Sequence, residues 1–97
     1  MPSTTTSMVR FYYVYILESL MDKKRYIGFT TNFRKRLEAH NNGLSFSTKS
    51  RKPFKLIYIE GCLNYNDARR REHYLKTTGG RRFLAKRLIE YYNLSKL

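Results

Sequence analysis

Between residues 11 and 19 the chain reads "FYYVYILES", alternating aromatic and β-branched side chains with a period of two that predicts a β-strand. Tyr13, Tyr15 and Leu17 then face one way, and Tyr12, Val14 and Ile16 the other. "LMDKK" supplies a polar turn, and "RYIGF" returns as a second strand. With the loop at Ser19–Asp22, Glu18 faces Lys23, Tyr15 lies directly across from Tyr26 and Val14 across from Ile27. This register pairs charge with charge and apolar with apolar, and it sets two tyrosines side by side.

The period then lengthens. "TTNFRKRLEAHNNG" is a helix that Thr31 or Asn32 can cap and Asn41-Asn42-Gly43 ends. Phe33 and Leu37 form its apolar stripe, with Arg36 and His40 one turn apart on the adjacent face. "LSFSTKSRKP" is a long cationic loop. "FKLIYIEGC" is a third strand, whose Leu56-Ile57-Tyr58-Ile59 run suggests a central, buried position. "NYNDARRREHYLKTTGG" is a second helix, capped by Asn66 or Asp67 and ended by Gly79-Gly80. "RRFLAKRLIEYYNL" is a third, burying Phe83, Leu84, Leu88 and Tyr91. The predicted order is ββαβαα, an α+β fold in which helices flank a small three-stranded antiparallel sheet.

Composition narrows the setting. The 97 residues suit one domain, spanning 11–97 behind a polar, flexible tail at 1–10. Twenty Lys and Arg against seven Asp and Glu leave a net charge of +13, a surface that favours a polyanion through Coulomb attraction and counterion release. No apolar run approaches the ~18 residues that span a bilayer, and "MPSTTTSMVR" lacks the apolar stretch of a secretory signal. Cys62, the single cysteine, has no disulfide partner and no metal-ligand spacing, so it reads as packing in a reduced, cytoplasmic protein. No membrane association is expected.

Against this basic background a few residues stand out. The inward stripe of the second helix is Ala68, Glu72, Leu75, and a carboxylate there is out of place. Glu72 can simply pair with Lys76, the favourable i,i+4 order worth about 0.2–0.5 kcal/mol. Facing a cationic groove, it can instead hold one Mg²⁺ that keeps waters for a phosphate. Arg36 can lay its stem along the sheet and present a forked donor to phosphate. His40 either closes its helix or carries a proton near neutrality. Tyr15 and Tyr26 are sheet aromatics whose hydroxyls can orient water or touch phosphate oxygens. Lys35, Lys49, Arg51, Lys52, Arg69, Arg70 and Lys76 are the cations placed to hold a nucleic-acid backbone without reading bases. His73, next to Glu72 in sequence, points to another helical face and reads as surface.

Taken together, "YVY" at 13–15, "RYIG" at 25–28, "NFRKRLEAH" at 32–40 and "ARRREHYLK" at 68–76 resemble the GIY-YIG nuclease domain, over nearly the whole chain. The likeness is to the family's small single-domain members, and to the nuclease module of the excision-repair excinuclease. The first motif lacks its leading glycine, and the family's late asparagine has no counterpart better placed than Asn93. The resemblance implies a three-stranded antiparallel sheet flanked by helices. It also implies catalytic roles for Tyr15, Tyr26, Arg36, His40 and Glu72, with Glu72 binding one Mg²⁺ or Mn²⁺. Tyr15 or His40 would serve as the base. The expectation is an endonuclease that hydrolyses DNA phosphodiesters, with structure selectivity, in DNA repair or processing. RNA is the other nucleic acid open to it, and a protein partner is one source of specificity. The alternative is a nucleic-acid-binding module of the same fold without cleavage.

Overall fold

The computed structural model describes residues 10–45 and 48–94, so most of the expected N-terminal tail lies outside the described residues. Strand β1 (Tyr12–Ser19) is followed by β2 (Arg25–Thr30), helix α1 (Phe33–Asn41), a single 3₁₀ turn (Lys49–Arg51) and β3 (Phe54–Cys62). Helices α2 (Tyr65–Leu75), α3 (Thr78–Arg87) and α4 (Ile89–Leu94) complete the chain. The sheet is antiparallel in the order β2-β1-β3. The fold is therefore the expected α+β sandwich. Among the described residues no helix is long and apolar enough to cross a membrane.

The alternation in β1 sorts its side chains as expected. Val14 and Ile16 join Ala68, Leu75 and Leu84 in one core under α2 and α3, while Tyr15 and Leu17 join Phe54 in a second core that Leu37 of α1 packs against. With apolar cores on both faces, the central strand β1 is buried from Val14 through Ser19. This also corrects the expectation for β3. It is an outer strand, and its continuous apolar run serves two helix-covered faces rather than a central position.

The hairpin register is displaced by two residues from the expected one. Tyr15 pairs with Gly28, Ile16 with Ile27, Leu17 with Tyr26 and Glu18 with Arg25. The cause is Ser19. Its hydroxyl accepts hydrogen bonds from the Met21 and Asp22 amides (3.1 and 3.2 Å) and donates to the Arg51 carbonyl (2.6 Å), which keeps Ser19 in the strand. Lys23, at φ 63°, closes the turn. A shift of two preserves facing, so Tyr15 and Tyr26 stay on one face as diagonal neighbours, their ring centroids 6.3 Å apart.

Helix boundaries differ where local hydrogen bonds decide them. Asn32 caps α1 through the Lys35 amide, as one of the two expected caps, but Asn64 rather than Asn66 or Asp67 caps α2. Gly79-Gly80 does not end α2. Thr77 caps α3 by accepting from the Gly80 amide (3.1 Å), and both glycines lie in the first turn of α3. A Cβ on Gly80 would sit 2.1 Å from the Tyr74 carbonyl oxygen, so glycine is what lets α3 start against the end of α2. The expected third helix breaks at Leu88, and the Tyr91 hydroxyl of α4 donates to buried Glu18 at the hairpin end (2.5 Å).

Candidate active site

The site grows out from Tyr15. Its ring crosses the adjacent strand over Gly28, where an added Cβ would lie 2.4 Å from both Cζ and Oη. A side chain at position 28 would occupy the space of the phenol. Because β2 is an outer strand, this crossing carries the hydroxyl toward a sheet edge.

Behind Tyr15 lies a buried polar chain. Tyr15 Oη shares a 3.1 Å hydrogen bond with His40 Nε2, and His40 Nδ1 shares one of 2.6 Å with Thr48 Oγ1. Both His40 and Thr48 are 0 % exposed. Arg36 and His40 both act on Tyr15, from different depths. His40 turns inward and meets the Tyr26 ring edge-on at 4.8 Å, while Arg36 is solvent-exposed. The inward turn is anchored by Asn41, whose amide donates to the Phe54 carbonyl (3.0 Å) and whose carbonyl accepts from the Phe54 amide (2.6 Å). That clamp fixes the end of α1 on the start of β3.

Electrostatics follow from this burial. Loss of solvent is the main reason the Tyr15 phenol is pushed well above its ordinary range, with Tyr26 and Glu72 adding to the rise and the Arg36 guanidinium opposing it. His40 is shifted downward, first by burial and then by Arg36, so the ring is neutral at physiological pH.

Glu72 approaches from α2, on the other side of the sheet. It is buried, as the Ala68–Glu72–Leu75 stripe requires. Its Oε2 accepts from Lys76 Nζ (3.1 Å), the pairing that helical spacing favours. Arg69 Nη1 stands 3.3 Å from Oε1, yet among the described residues Oε1 accepts no well-formed hydrogen bond. Arg69 itself is held over the Phe29 ring, 4.8 Å from its centroid. A buried carboxylate oxygen with unused acceptor capacity fits a single hard cation whose other ligands are water and phosphate. The described residues contain no group of three or more His, Cys, Asp or Glu that could cage an ion.

The remaining sequence candidates are dispersed. Arg51 pairs with Asp22 (3.2 Å) and Arg70 with Asp67 (2.5 Å), so each already has a carboxylate. Lys35, Lys49 and Lys52 lie exposed on the side of α1 and its following loop. His73 is exposed, as expected, and Cys62 is a half-buried free thiol packed against the core. Thr48 carried no signal in the sequence, because a single threonine in a ten-residue polar loop has no periodicity to mark it.

The chain is similar to known proteins over most of its length. Residues 11–88 match the GIY-YIG catalytic domain. The chain is 46% identical over 65 residues to UPF0213 protein CPE1444 of Clostridium perfringens, covering 66% of this chain and 69% of the relative. UPF0213 protein OB0043 of Oceanobacillus iheyensis is 35% identical over 81 residues, covering 82% and 91% of the two chains. The solution NMR structure of UPF0213 protein BH0048 from Bacillus halodurans aligns at 30% identity with a TM-score of 0.49, over 78% of this chain and 83% of that one. With the domain matched across most of its length, the chain belongs to the GIY-YIG family.

Proposed function

We propose that the protein is a metal-dependent endonuclease that hydrolyses DNA phosphodiester bonds, structure-selectively, in cytoplasmic DNA repair or processing. The observation that carries this reading is Glu72, a buried carboxylate with one unfilled acceptor oxygen among cations, whose charge is felt at the Tyr15 hydroxyl. A surface that only gripped phosphate would gain nothing from a negative charge there.

In this reading Arg36 donates to the scissile phosphate and stabilises the charge that develops on its oxygens. Tyr15 takes the proton of the attacking water. His40 Nε2, 3.1 Å away, takes the proton Tyr15 gives up. His40 has no exposure of its own, so it acts only through Tyr15. Tyr26 packs against the His40 ring and holds both in place. The new P–O bond forms as the opposite bridging P–O bond breaks, and the leaving oxygen is protonated from solvent. Glu72 would hold one Mg²⁺ or Mn²⁺, which supplies Lewis acidity at the phosphate oxygens when bound. Arg69 and Lys76 flank Glu72, each ion-paired with it, and take neighbouring phosphates by exchanging that pairing, with Lys35, Lys49 and Lys52 exposed on the α1 side. Arg51 and Arg70 can join only by exchanging the carboxylates they now hold.

One observation favours a second reading, a nucleic-acid-binding module without cleavage. Both oxygens of Glu72 already stand within 3.3 Å of cations, so a purely structural role for the carboxylate is satisfied. Incubating the protein with plasmid, branched and flapped DNA in Mg²⁺ or Mn²⁺, beside Arg36→Ala and Glu72→Ala, separates the two. The nuclease cuts and both variants lose cutting, whereas the binder retains DNA and cuts nothing.

A further inference from the structure

A groove of about 850 Å³ runs from the site along the side of the molecule, between the β1–β2 hairpin end and helices α3 and α4. Tyr26 and Lys76, both beside the candidate site, form part of its lining. Its rim carries Lys23 and Lys24 from the hairpin and Arg81 from α3, while Ile27 and Leu84 are among the residues of its floor. All three rim cations are exposed, and none forms an ion pair among the described residues. The sequence pointed to Arg51 and Arg70 as phosphate contacts, yet those two are neutralised by Asp22 and Asp67. Uncompensated positive charge therefore gathers along this groove rather than along the outer face of α2.

We propose that this groove is a track for one unpaired nucleic-acid strand leaving the scissile phosphate. The proposal rests on the nuclease reading for the place where the strand enters, but not on cleavage itself. A cationic rim above an apolar floor matches a single strand, which presents phosphates and exposed base faces together. A duplex keeps its base faces stacked inside and so leaves an apolar floor without a stacking partner. Lys76 joins the two regions, holding Glu72 at the site and lining the groove.

The test is the salt dependence of binding, read by fluorescence anisotropy in EDTA with a short single-stranded DNA and with its duplex. Each lost phosphate contact flattens the log K against log salt slope by about 0.7 on single strands. Lys24→Gln/Arg81→Gln should therefore flatten it by about 1.4 and weaken single-strand binding on the order of tenfold at moderate salt. The control Arg82→Gln/Lys86→Gln removes the same charge from α3 positions that do not line the groove, and it should leave the slope near wild type. An unchanged slope in the groove variant would overturn the track. So would an equal change in the control, a change seen on duplex alone, or polyglutamate competing better than the oligonucleotide. Cleavage plays no part in this readout, so a wild-type protein that cuts nothing would count against the nuclease reading and leave the track to its own result.

Discussion

The Tyr15 hydroxyl lies where a side chain on Gly28 would begin: a Cβ there would be 2.4 Å from Oη. No rotation of a methyl group removes such an overlap, so the phenol or the strand must move. Gly28→Ala should lower stability by about 1–3 kcal/mol. It should also cut cleavage by roughly a hundredfold, since small misplacements of a reacting group cost that much. Thermal melts and initial rates measured on one preparation check both, and a fully active Gly28→Ala protein would refute the crossing geometry.

His40 distinguishes a proton carrier from an orienting group. Gln at this position keeps a hydrogen-bonding amide near Tyr15 but cannot take up a proton. The relay predicts that His40→Gln is nearly as inactive as His40→Ala, while a purely orienting role predicts partial rescue by Gln. Stability gives a second reading. The folded pKa of His40 lies below its unfolded value of about 6.5, so the unfolded chain binds the extra proton. The contribution is complete above that pH and is lost as pH falls through the folded value. Melts at descending pH should show this loss in wild type, and His40→Gln should lack that component.

Thr48 is the residue that tests the polar chain at its far end. Thr48→Val keeps the shape and removes the hydroxyl, leaving His40 Nδ1 buried without its 2.6 Å partner. The cost should be about 1–3 kcal/mol in stability, together with a fall in cleavage, and Thr48→Ser should restore both. Equal behaviour of the Val and Ser variants in melts and rates would show that the hydroxyl is idle.

The adjacent glycines at the start of α3 should respond in opposite ways. A Cβ on Gly80 meets the Tyr74 carbonyl at 2.1 Å, whereas one on Gly79 finds ordinary contacts at 3.6 Å and beyond. Gly80→Ala should therefore destabilise by about 1–3 kcal/mol or more. Gly79→Ala should be neutral or gain about 0.5–1 kcal/mol from helix propensity. Denaturant titration of the two variants decides it.

These residues also show what the sequence could reveal. Period-two alternation placed Tyr15 and Tyr26 on one face, and parity survived a register error of two because side-chain facing repeats every two residues. Glu72 was legible because a carboxylate in an apolar helical stripe violates its own pattern, and the structure buries it. The hairpin register was hidden because one serine hydroxyl, bonded to two loop amides and a distant carbonyl, sets it. The role of Thr48 and the inward turn of His40 depend on how a loop folds back over α1, a tertiary event with no local signature. Gly79-Gly80 looked like a helix stop, since glycine is common there, and only the close packing of α3 on α2 shows its other use.

Glu72 is the residue on which cleavage depends, and pairing cleavage with binding tests its role directly. Initial cleavage rates and EDTA-phase affinities are compared for wild type and Glu72→Gln on the same labelled DNA. A metal-holding role for Glu72 predicts metal-dependent cutting by wild type, lost by a factor on the order of 10³ in Glu72→Gln, with DNA affinity kept or tightened because a negative charge near phosphate is gone. Cutting that survives in Glu72→Gln, or a wild type that binds DNA and never cuts it in Mg²⁺ or Mn²⁺, would contradict it.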